Sequence, residues 1–425
     1  MKIENILIDG FKNISNVKLK LDNITALVAI NNFGKSNVLH GVNFGLTFIK
    51  ANNEEKADMM SNSILFPINS NIQGKNYKFE VEAITQGNRI VQYGYEFRWY
   101  YNSKREPEII KEYLKIKSNK KNNKFTQFIN RTEEKALYKS SESGRCSSKI
   151  KIKSNELIIN KLHAYDNLYY SDIINKLNNM RMYMENNFDT ENFCRPDPII
   201  RKGFENEMID TVNLPRIIFQ LKQKEKNKFK LLKDIYFQLF PDIEDIIVKE
   251  YTLNQSASNK IPDDAPFIVT DKVYFLYVKN RNLIKTVDFS TMSDGAKRIF
   301  MILTKIIISR NSNVSLIAIE EPENSVHPGL FHAYIQIINQ LLDNCKIILT
   351  SHSPYIVNYL NPLSTYIGIN KIPGVAQFFT FKKSGKNQLE KDASTFNMST
   401  GDYLFSMLTD VDSNIEDYLE GINGE

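Results

Sequence analysis

Glu320 and Glu321 stand side by side at the end of a short β-branched and aliphatic run, Ser315-Leu316-Ile317-Ala318-Ile319, with Pro322 and Glu323 behind them. Such a run reads as a buried strand, and two acids at its tip are costly unless something there needs negative charge. A hydrated magnesium ion and an attacking water both need it. The pair therefore points to hydrolysis of a nucleoside triphosphate. That chemistry requires a second part, a loop that cradles phosphates.

A candidate lies near the N-terminus. Thr25-Ala26-Leu27-Val28 is apolar and β-prone, Ala29-Ile30-Asn31-Asn32-Phe33-Gly34-Lys35-Ser36 follows, and Asn37-Val38-Leu39-His40-Gly41-Val42 suits a helix. Strand, loop and helix is the context of a P-loop. There the backbone N–H groups and the helix N-terminus face the phosphates. Lys35 is placed for the β- and γ-phosphates and the Ser36 hydroxyl for Mg²⁺. One position departs from the motif G-x-x-x-x-G-K-[ST], which has glycine where this chain has Ala29. If that position needs positive φ, alanine costs about 1–2 kcal/mol. If it needs only a small side chain, alanine is harmless.

Phe289-Ser290-Thr291-Met292-Ser293-Asp294-Gly295-Ala296-Lys297-Arg298 leads into the apolar Ile299-Phe300-Met301-Ile302-Leu303. Ser293 suits a helix N-cap and Gly295 leaves the backbone open to close approach. The segment reads either as a second anion-binding helix start or as an ordinary capped core helix. After Glu321 come Asn324-Ser325-Val326-His327-Pro328 and an amphipathic helix from about Leu330 to Leu342. Lys346-Ile347-Ile348-Leu349-Thr350 is another buried strand, and Ser351-His352-Ser353-Pro354 ends it. Ligands of open α/β sheets bind at the carboxyl ends of parallel strands. His352 is thus placed as a γ-phosphate sensor, against the commoner structural role of a lone histidine.

In this order the pieces resemble the ABC-type ATPase heads of the RecF, SMC and OLD branch. In particular they resemble the stand-alone bacterial AAA family ATPases of anti-phage and abortive-infection systems. Gly10-Phe11-Lys12-Asn13 and Asn31-Asn32-Phe33-Gly34-Lys35-Ser36-Asn37 look like that family's start. Met292-Ser293-Asp294-Gly295 looks like the ABC signature, and Ile319-Glu320-Glu321-Pro322-Glu323-Asn324 with His327-Pro328 like Walker B and D-loop. Thr350-Ser351-His352-Ser353-Pro354 looks like the switch histidine.

The resemblance implies an α/β P-loop NTPase of ABC/SMC-head type, with an antiparallel β subdomain and an inserted, mainly helical lid or arm. It implies ATP and Mg²⁺ as cofactors. Asn31, Asn32, Gly34, Lys35, Ser36 and Asn37 would bind the nucleotide. Ser36 and Glu320 would hold Mg²⁺, Glu320 standing where most relatives carry Asp. Lys35, Glu321 and His352 would be catalytic, Glu321 polarising the attacking water and His352 contacting the γ-phosphate. Ser293 and Gly295 would contact the γ-phosphate bound to a second subunit, which requires a two-fold head dimer or a higher oligomer. Gln73 and Gln86 are candidates for the family's Q-loop glutamine, and neither has its context.

The chain has 425 residues, 42% hydrophobic and 11% aromatic, enough for two or three domains with a large core. Lys and Arg number 55 against 49 acids, and a net +6 decides nothing about nucleic acid. Cys146, Cys194 and Cys345 show no metal-like spacing and fit a reducing cytoplasm without a disulfide framework. No apolar run approaches the ~18 residues of a membrane span; Ile299 to Ile308 comes nearest, and Lys305 interrupts it. Met1-Lys2-Ile3-Glu4-Asn5 reads as a first strand and not as a signal peptide. The expectation is a cytoplasmic protein without membrane contact.

Three regions are expected: an N-terminal lobe over 1–115, an inserted basic hairpin and helical arm over 116–255, and a C-terminal lobe over 256–425. Tyr77 to Ile84 and Tyr93 to Trp99 alternate with period two and read as strands. Asn52 to Asn62 reads as a polar loop. Lys115, Lys117, Lys120, Lys121 and Lys124 carry no intervening acid. A solvated hairpin is favoured there over a nucleic-acid contact with Phe125 and Phe128 stacking. From Leu157 to Leu239, including Met182-Tyr183-Met184, apolar residues recur near helical spacing, and Pro196, Pro198 and Pro215 break the helix. Tyr366 to Ile369 and Gln377 to Phe381 read as strands, and Gly401 to Leu419 as a helix. Asp410-Val411-Asp412 offers the D-x-D of the TOPRIM nuclease of OLD-type relatives, but too little chain follows to build that sheet. The pair reads as a solvated helix end.

The leading expectation is an ATP-hydrolysing switch that regulates a separate effector such as a nuclease or toxin, in anti-phage defence. A RecF-like ATPase acting on DNA is the alternative. A non-enzymatic scaffold that binds nucleotide only for assembly is the third, with Ala29 in its support.

Overall fold

The apolar runs near residues 25, 317 and 348 become neighbouring strands of one sheet. The computed structural model describes residues 1–61, 66–100, 107–120, 123–165, 167–185, 193–202, 213–253, 265–310, 314–343, 345–353, 355–410 and 413–420. Six strands follow the order β10-β16-β17-β3-β18-β19. They are β10 (Arg181–Glu185), β16 (Val314–Glu320), β17 (Lys346–Ser351), β3 (Ile24–Val28), β18 (Thr365–Ile369) and β19 (Gln377–Thr380). Neighbours run parallel from β10 to β18, and only β19 turns back. Every residue of β3 and β17 is buried, so these strands are covered on both faces and their burial does not alternate. Register does the positioning. Glu320 pairs with Thr350 and Ser351 with Val28, so the acid pair, the His352 strand end and the start of the loop after β3 share one edge.

A second sheet, of eight strands, is antiparallel in the order β2-β1-β4-β5-β6-β7-β8-β9. Its strands are β1 (Lys2–Asp9), β2 (Val17–Lys20), β4 (Tyr77–Ile84), β5 (Arg89–Arg98), β6 (Glu108–Ser118), β7 (Thr126–Arg131), β8 (Ala136–Tyr138) and β9 (Ser148–Lys149). The burial of β4 alternates residue by residue, as a sheet packed on one face requires. Helix α1 (Lys35–Lys50) lies on that inner face. The Tyr77 and Tyr95 hydroxyls donate to the Gly41 and Gly45 carbonyls at 3.0 and 2.9 Å. A Cβ on Gly45 would come 2.2 Å from the Phe79 ring, so glycine sets the helix–sheet distance. Phe11, Phe44, Phe48, Tyr77, Phe97 and Trp99 fill the layer between.

Several expectations give way to local physics. Asn53–Ser61 is not a loop but helix α2, while Ile158–Leu162 and Ser171–Asn178 form α3 and α4 as the helical spacing there predicts. Asn52 and Glu55 form a reciprocal cap, Glu55 N donating to Asn52 Oδ1 at 2.9 Å and Asn52 N to Glu55 Oε2 at 2.8 Å. Lys56 and Met60 of α2 are buried, the Lys56 amine lying over the Phe48 ring at 5.6 Å. Desolvation pushes that amine down to a pKa of about 8. Met182-Tyr183-Met184 is not helical either. It lies in β10, which is paired to β16 along its length and closes one edge of the parallel sheet. The helix expected from Gly401 to Leu419 ends at Thr409, where Asp410 adopts extended backbone. Val411 and Asp412 lie outside the described residues, as do Lys121 and Pro354. In the lysine-rich hairpin Phe125 lies under the Lys117 amine at 4.4 Å. Phe128 is buried against Tyr170, so neither ring is presented as a free stacking platform.

By contacts the chain divides into two units, Met1–Glu185 with Asn313–Pro322 and Asn344–Glu425, and Asn186–Ser312 with Glu323–Asp343. These cut across the expected three regions, because residues 116–185 pack with the first unit. The second unit holds a three-stranded sheet, β12 (Ile243–Thr252), β14 (Lys272–Asn280) and β15 (Val287–Asp288), and a ribbon of β11 (Ile199–Arg201) with β13 (Phe267–Val269). Its helices are α5 (Leu214–Lys224), α6 (Lys226–Leu239), α7 (Asp294–Ser309) and α8 (Pro328–Leu341). Asn213 caps α5 and Pro215 sits in its first turn, so this proline starts a helix and does not break one. Tyr236 ties α6 to α7, donating to the Ala296 carbonyl at 3.1 Å and packing on Phe300 at 4.8 Å. Among the described residues no helix is long and apolar enough to cross a membrane.

Candidate functional site

A cleft of about 190 Å³ opens at the carboxyl edge of the parallel sheet in the first unit. Asn31, Asn32, Phe33, Gly34, Lys35, Ser36, Asn37, Glu320, Glu321 and Thr350 line it. Every candidate residue of the loop after β3 and the two acids at the end of β16, Glu320 and Glu321, thus meet in one place. Thr350 is an addition; the cross-strand pairing of β16 and β17 puts it opposite Glu320.

The loop's backbone is held by identifiable means. Asn32 and Gly34 are left-handed, with φ of 59° and 121°. Ala29 is not among the left-handed positions, so the residue that replaces the motif's first glycine carries no φ strain. Its site demands smallness. Ala29 is fully buried, and a Cβ on Gly368 of β18 would come 2.7 Å from the Ala29 methyl and 2.5 Å from the Phe33 ring. The methyl gained at residue 29 is thus met by a side chain missing from the adjacent strand. Phe33 points inward and packs edge-on against Phe378 of β19 at 5.3 Å. Asn13 closes the loop from the other side, donating to the Phe33 carbonyl at 3.0 Å and accepting from the Asn37 amide at 2.8 Å.

Lys35 is nearly buried, and its amine donates to the Ala29 and Ile30 carbonyls at 2.8 and 3.0 Å. No side chain caps the first turn of α1, and no acid stands in it. Its leading N–H groups and the positive end of its dipole are therefore offered to an external anion. Farther along α1, His40 Nδ1 lies 3.2 Å from the Lys12 amine. Burial, and then the Lys12 charge, lower the His40 pKa, and burial lowers that of Lys12.

On the acidic side, Glu321 has φ of 48° and its N–H donates to the Thr350 carbonyl at 2.9 Å. Left-handed backbone on a non-glycine residue is strain of the kind found at functional positions. His352 Nδ1 stands 3.0 Å from Glu321 Oε1. The two are close but not aligned as a hydrogen bond. Ser293 and Gly295 belong to the second unit. Ser293 is exposed at the start of α7 and its hydroxyl oxygen accepts from Ala296 N at 3.4 Å. Gly295 is buried, and a Cβ there would come 2.1 Å from the Ser325 carbonyl. Gln73 and Gln86 are exposed and line no part of the cleft.

The residues fit a magnesium nucleotide. An uncapped helix start and a lysine suit phosphates, while a serine hydroxyl and two carboxylates are hard oxygen donors. Among the described residues no cluster of three or more His, Cys, Asp or Glu could hold a metal.

The family model described as "AAA domain, putative AbiEii toxin, Type IV TA system" matches residues 24–358. The chain belongs to this family. The match runs from β3 to the residues just past His352, leaving β1, β2, β18, β19 and the helix that ends at Thr409 outside it. Among solved structures, an SMC head bound to the C-winged helix domain of ScpA has TM-score 0.50 at 12% identity, covering 91% of this chain and 100% of that one. An SMC head domain from Thermotoga maritima has TM-score 0.43 at 10% identity, covering 90% of this chain and 100% of that one. No curated protein sequence matches the chain. At such identity the first of these likenesses speaks for the fold alone, an α/β P-loop NTPase of SMC-head type with antiparallel sheets.

Proposed function

We propose that the chain is an ATP-hydrolysing switch that works as paired copies and controls a separate effector in bacterial defence. The observation that carries the hydrolytic reading is the cleft itself. Lys35, Ser36, Glu320 and Glu321 line it together, and His352 stands 3.0 Å from Glu321. The family's description as an AbiEii-type, type IV toxin–antitoxin domain supports the defence setting and an effector such as a toxin or nuclease.

In this reading the α1 N-terminus and Lys35 bind the phosphates of ATP. Ser36 and Glu320 hold Mg²⁺, which when bound neutralises charge developing on the transferred phosphoryl group. Glu321 orients the attacking water and takes up its proton. His352 keeps Glu321 in place and contacts the γ-phosphate. The Ser293 end of α7 from a second copy completes the site, so turnover requires two heads. The lysine-rich hairpin lends little to a DNA-acting reading, since Phe128 is core and Phe125 is covered by Lys117.

The test is Glu321→Gln in the full chain, with Mg-ATP binding followed by calorimetry and phosphate release by a coupled assay. Binding is retained and release falls. Release at the wild-type rate overturns the assignment.

A further inference from the structure

The peptide joining Phe33 to Gly34 sits in the most unusual backbone of the loop, with Gly34 at φ 121°. Its carbonyl is taken by Asn13, whose Nδ2 donates to Phe33 O at 3.0 Å. In a trans peptide the carbonyl and the following N–H point in opposite directions. Fixing Phe33 O on Asn13 therefore turns Gly34 N–H away from Asn13, and Gly34 lines the cleft. The reverse peptide orientation would aim a carbonyl dipole at a bound phosphate.

Asn13 is itself held at every polar atom used here. Its Oδ1 accepts from Asn37 Nδ2 at 2.8 Å. Its backbone carbonyl accepts from Ala376 N at 2.8 Å, and the next residue, Ile14, bridges Ala376. The turn before Ala376 is pinned in its turn: Asn69 Nδ2 donates to Gly374 O at 3.1 Å and Asn71 Nδ2 to Pro373 O at 2.8 Å. On the other side, Asn69 N donates to Lys12 O at 2.7 Å. The Asn13 side chain also fills the place of a side chain on Gly34, since a Cβ there would lie 2.8 Å from both of its amide atoms. An asparagine clamped this way has little rotameric freedom, and the peptide it holds inherits that rigidity.

We propose that Asn13 is a positioning residue for nucleotide binding, acting by locking the Phe33–Gly34 peptide with its N–H toward the cleft. The proposal rests on the nucleotide-binding reading above. The donor function is the essential one, because an acceptor at residue 13 would repel the Phe33 carbonyl.

The test titrates Mg-ATP into the full chain by calorimetry, with a thermal melt of each variant. Asn13→Asp keeps the size and the acceptor for Asn37 but cannot donate to Phe33 O. Both Asn13→Asp and Asn13→Ala bind ATP about ten- to a hundredfold more weakly, the range of one hydrogen bond to a charged group. The melts of Asn13→Asp and the wild type stay close together. An Asn13→Asp variant that binds ATP like the wild type overturns the proposal, whatever its melting temperature. A wild type that binds no ATP, or a Lys35→Ala variant that binds it unimpaired, overturns the nucleotide-binding reading instead.

Discussion

Two helix starts in this chain carry a serine, a glycine and a lysine within five residues, and they use them in opposite ways. At α1 the glycine, Gly34, is the N-cap, no side chain caps the first turn, and no acid stands there. At α7 the serine, Ser293, is the N-cap, and its hydroxyl oxygen takes the Ala296 N–H. Asp294 stands in the first turn of α7 and pairs with Lys297 at 2.9 Å, and Lys297 also reaches the Ser290 carbonyl at 3.3 Å. The first start offers its N–H groups and dipole outward. The second has answered part of its own positive field. The two helix N-termini therefore differ in kind: the first turn of α1 is left without a side-chain cap or an acid, whereas that of α7 has both.

The widest separation between the two regions comes from the acid opposite α1. Glu321→Gln removes a general base, which contributes about 10²- to 10⁴-fold. Phosphate release should fall by that factor while Mg-ATP affinity stays close to that of the wild type. Next is Lys35→Ala. Losing hydrogen bonds from a buried ammonium to phosphate should weaken ATP binding about a hundredfold, measured by calorimetry. Lys297→Ala at the second start should leave ATP binding by the isolated head unchanged. Equal losses in the two lysine variants would erase the distinction drawn here.

That contrast was only partly legible in the sequence. Strands buried on both faces are continuous apolar runs, so β3, β16 and β17 could be read directly, and their ends carry the residues that meet in the cleft. Position 29 could not be decided, because φ and the Gly368 opposite it depend on a strand some 340 residues away, beyond the reach of any local pattern. Asn13 stood in view as part of Gly10-Phe11-Lys12-Asn13 but with no role, since its partners Phe33, Asn37 and Ala376 come together only through the fold. The α2 helix was missed because its charged residues outweigh its apolar ones, and the Asn52–Glu55 cap was the signal that could have found it. β10 was missed for a different reason. Arg181 to Glu185 is too short for periodicity to separate strand from helix, and pairing to β16 decides it.

The glycines extend the comparison to packing. Gly295 is not at positive φ, so its constraint is space: a Cβ would meet the Ser325 carbonyl at 2.1 Å. Gly295→Ala must push aside the Asn324–Ser325 turn, in which Ser325 already sits at φ 64°. Overpacking of this kind costs about 1–3 kcal/mol, so the second unit should melt earlier. ATP affinity of the isolated head should hold. A stability equal to that of the wild type would mean that the turn yields freely and that Gly295 serves something other than close approach.

The smallest effect separates capping from anion contact at Ser293. Ser293→Ala removes both the N-cap and the hydroxyl donor, and loss of a cap costs about 1 kcal/mol. Ser293→Asp keeps the cap, because aspartate caps as well as serine, but it adds a negative charge where a phosphate held by another copy would stand. If α7 serves only its own helix, the Asp variant recovers the stability lost in the Ala variant and hydrolyses ATP like the wild type. If α7 completes a site across two copies, the Asp variant melts like the wild type and yet fails at turnover. Its failure should be deepest where turnover rises with protein concentration. Melting curves and concentration-dependent phosphate release on the same two variants distinguish these outcomes, because charge repulsion lowers turnover without touching the cap.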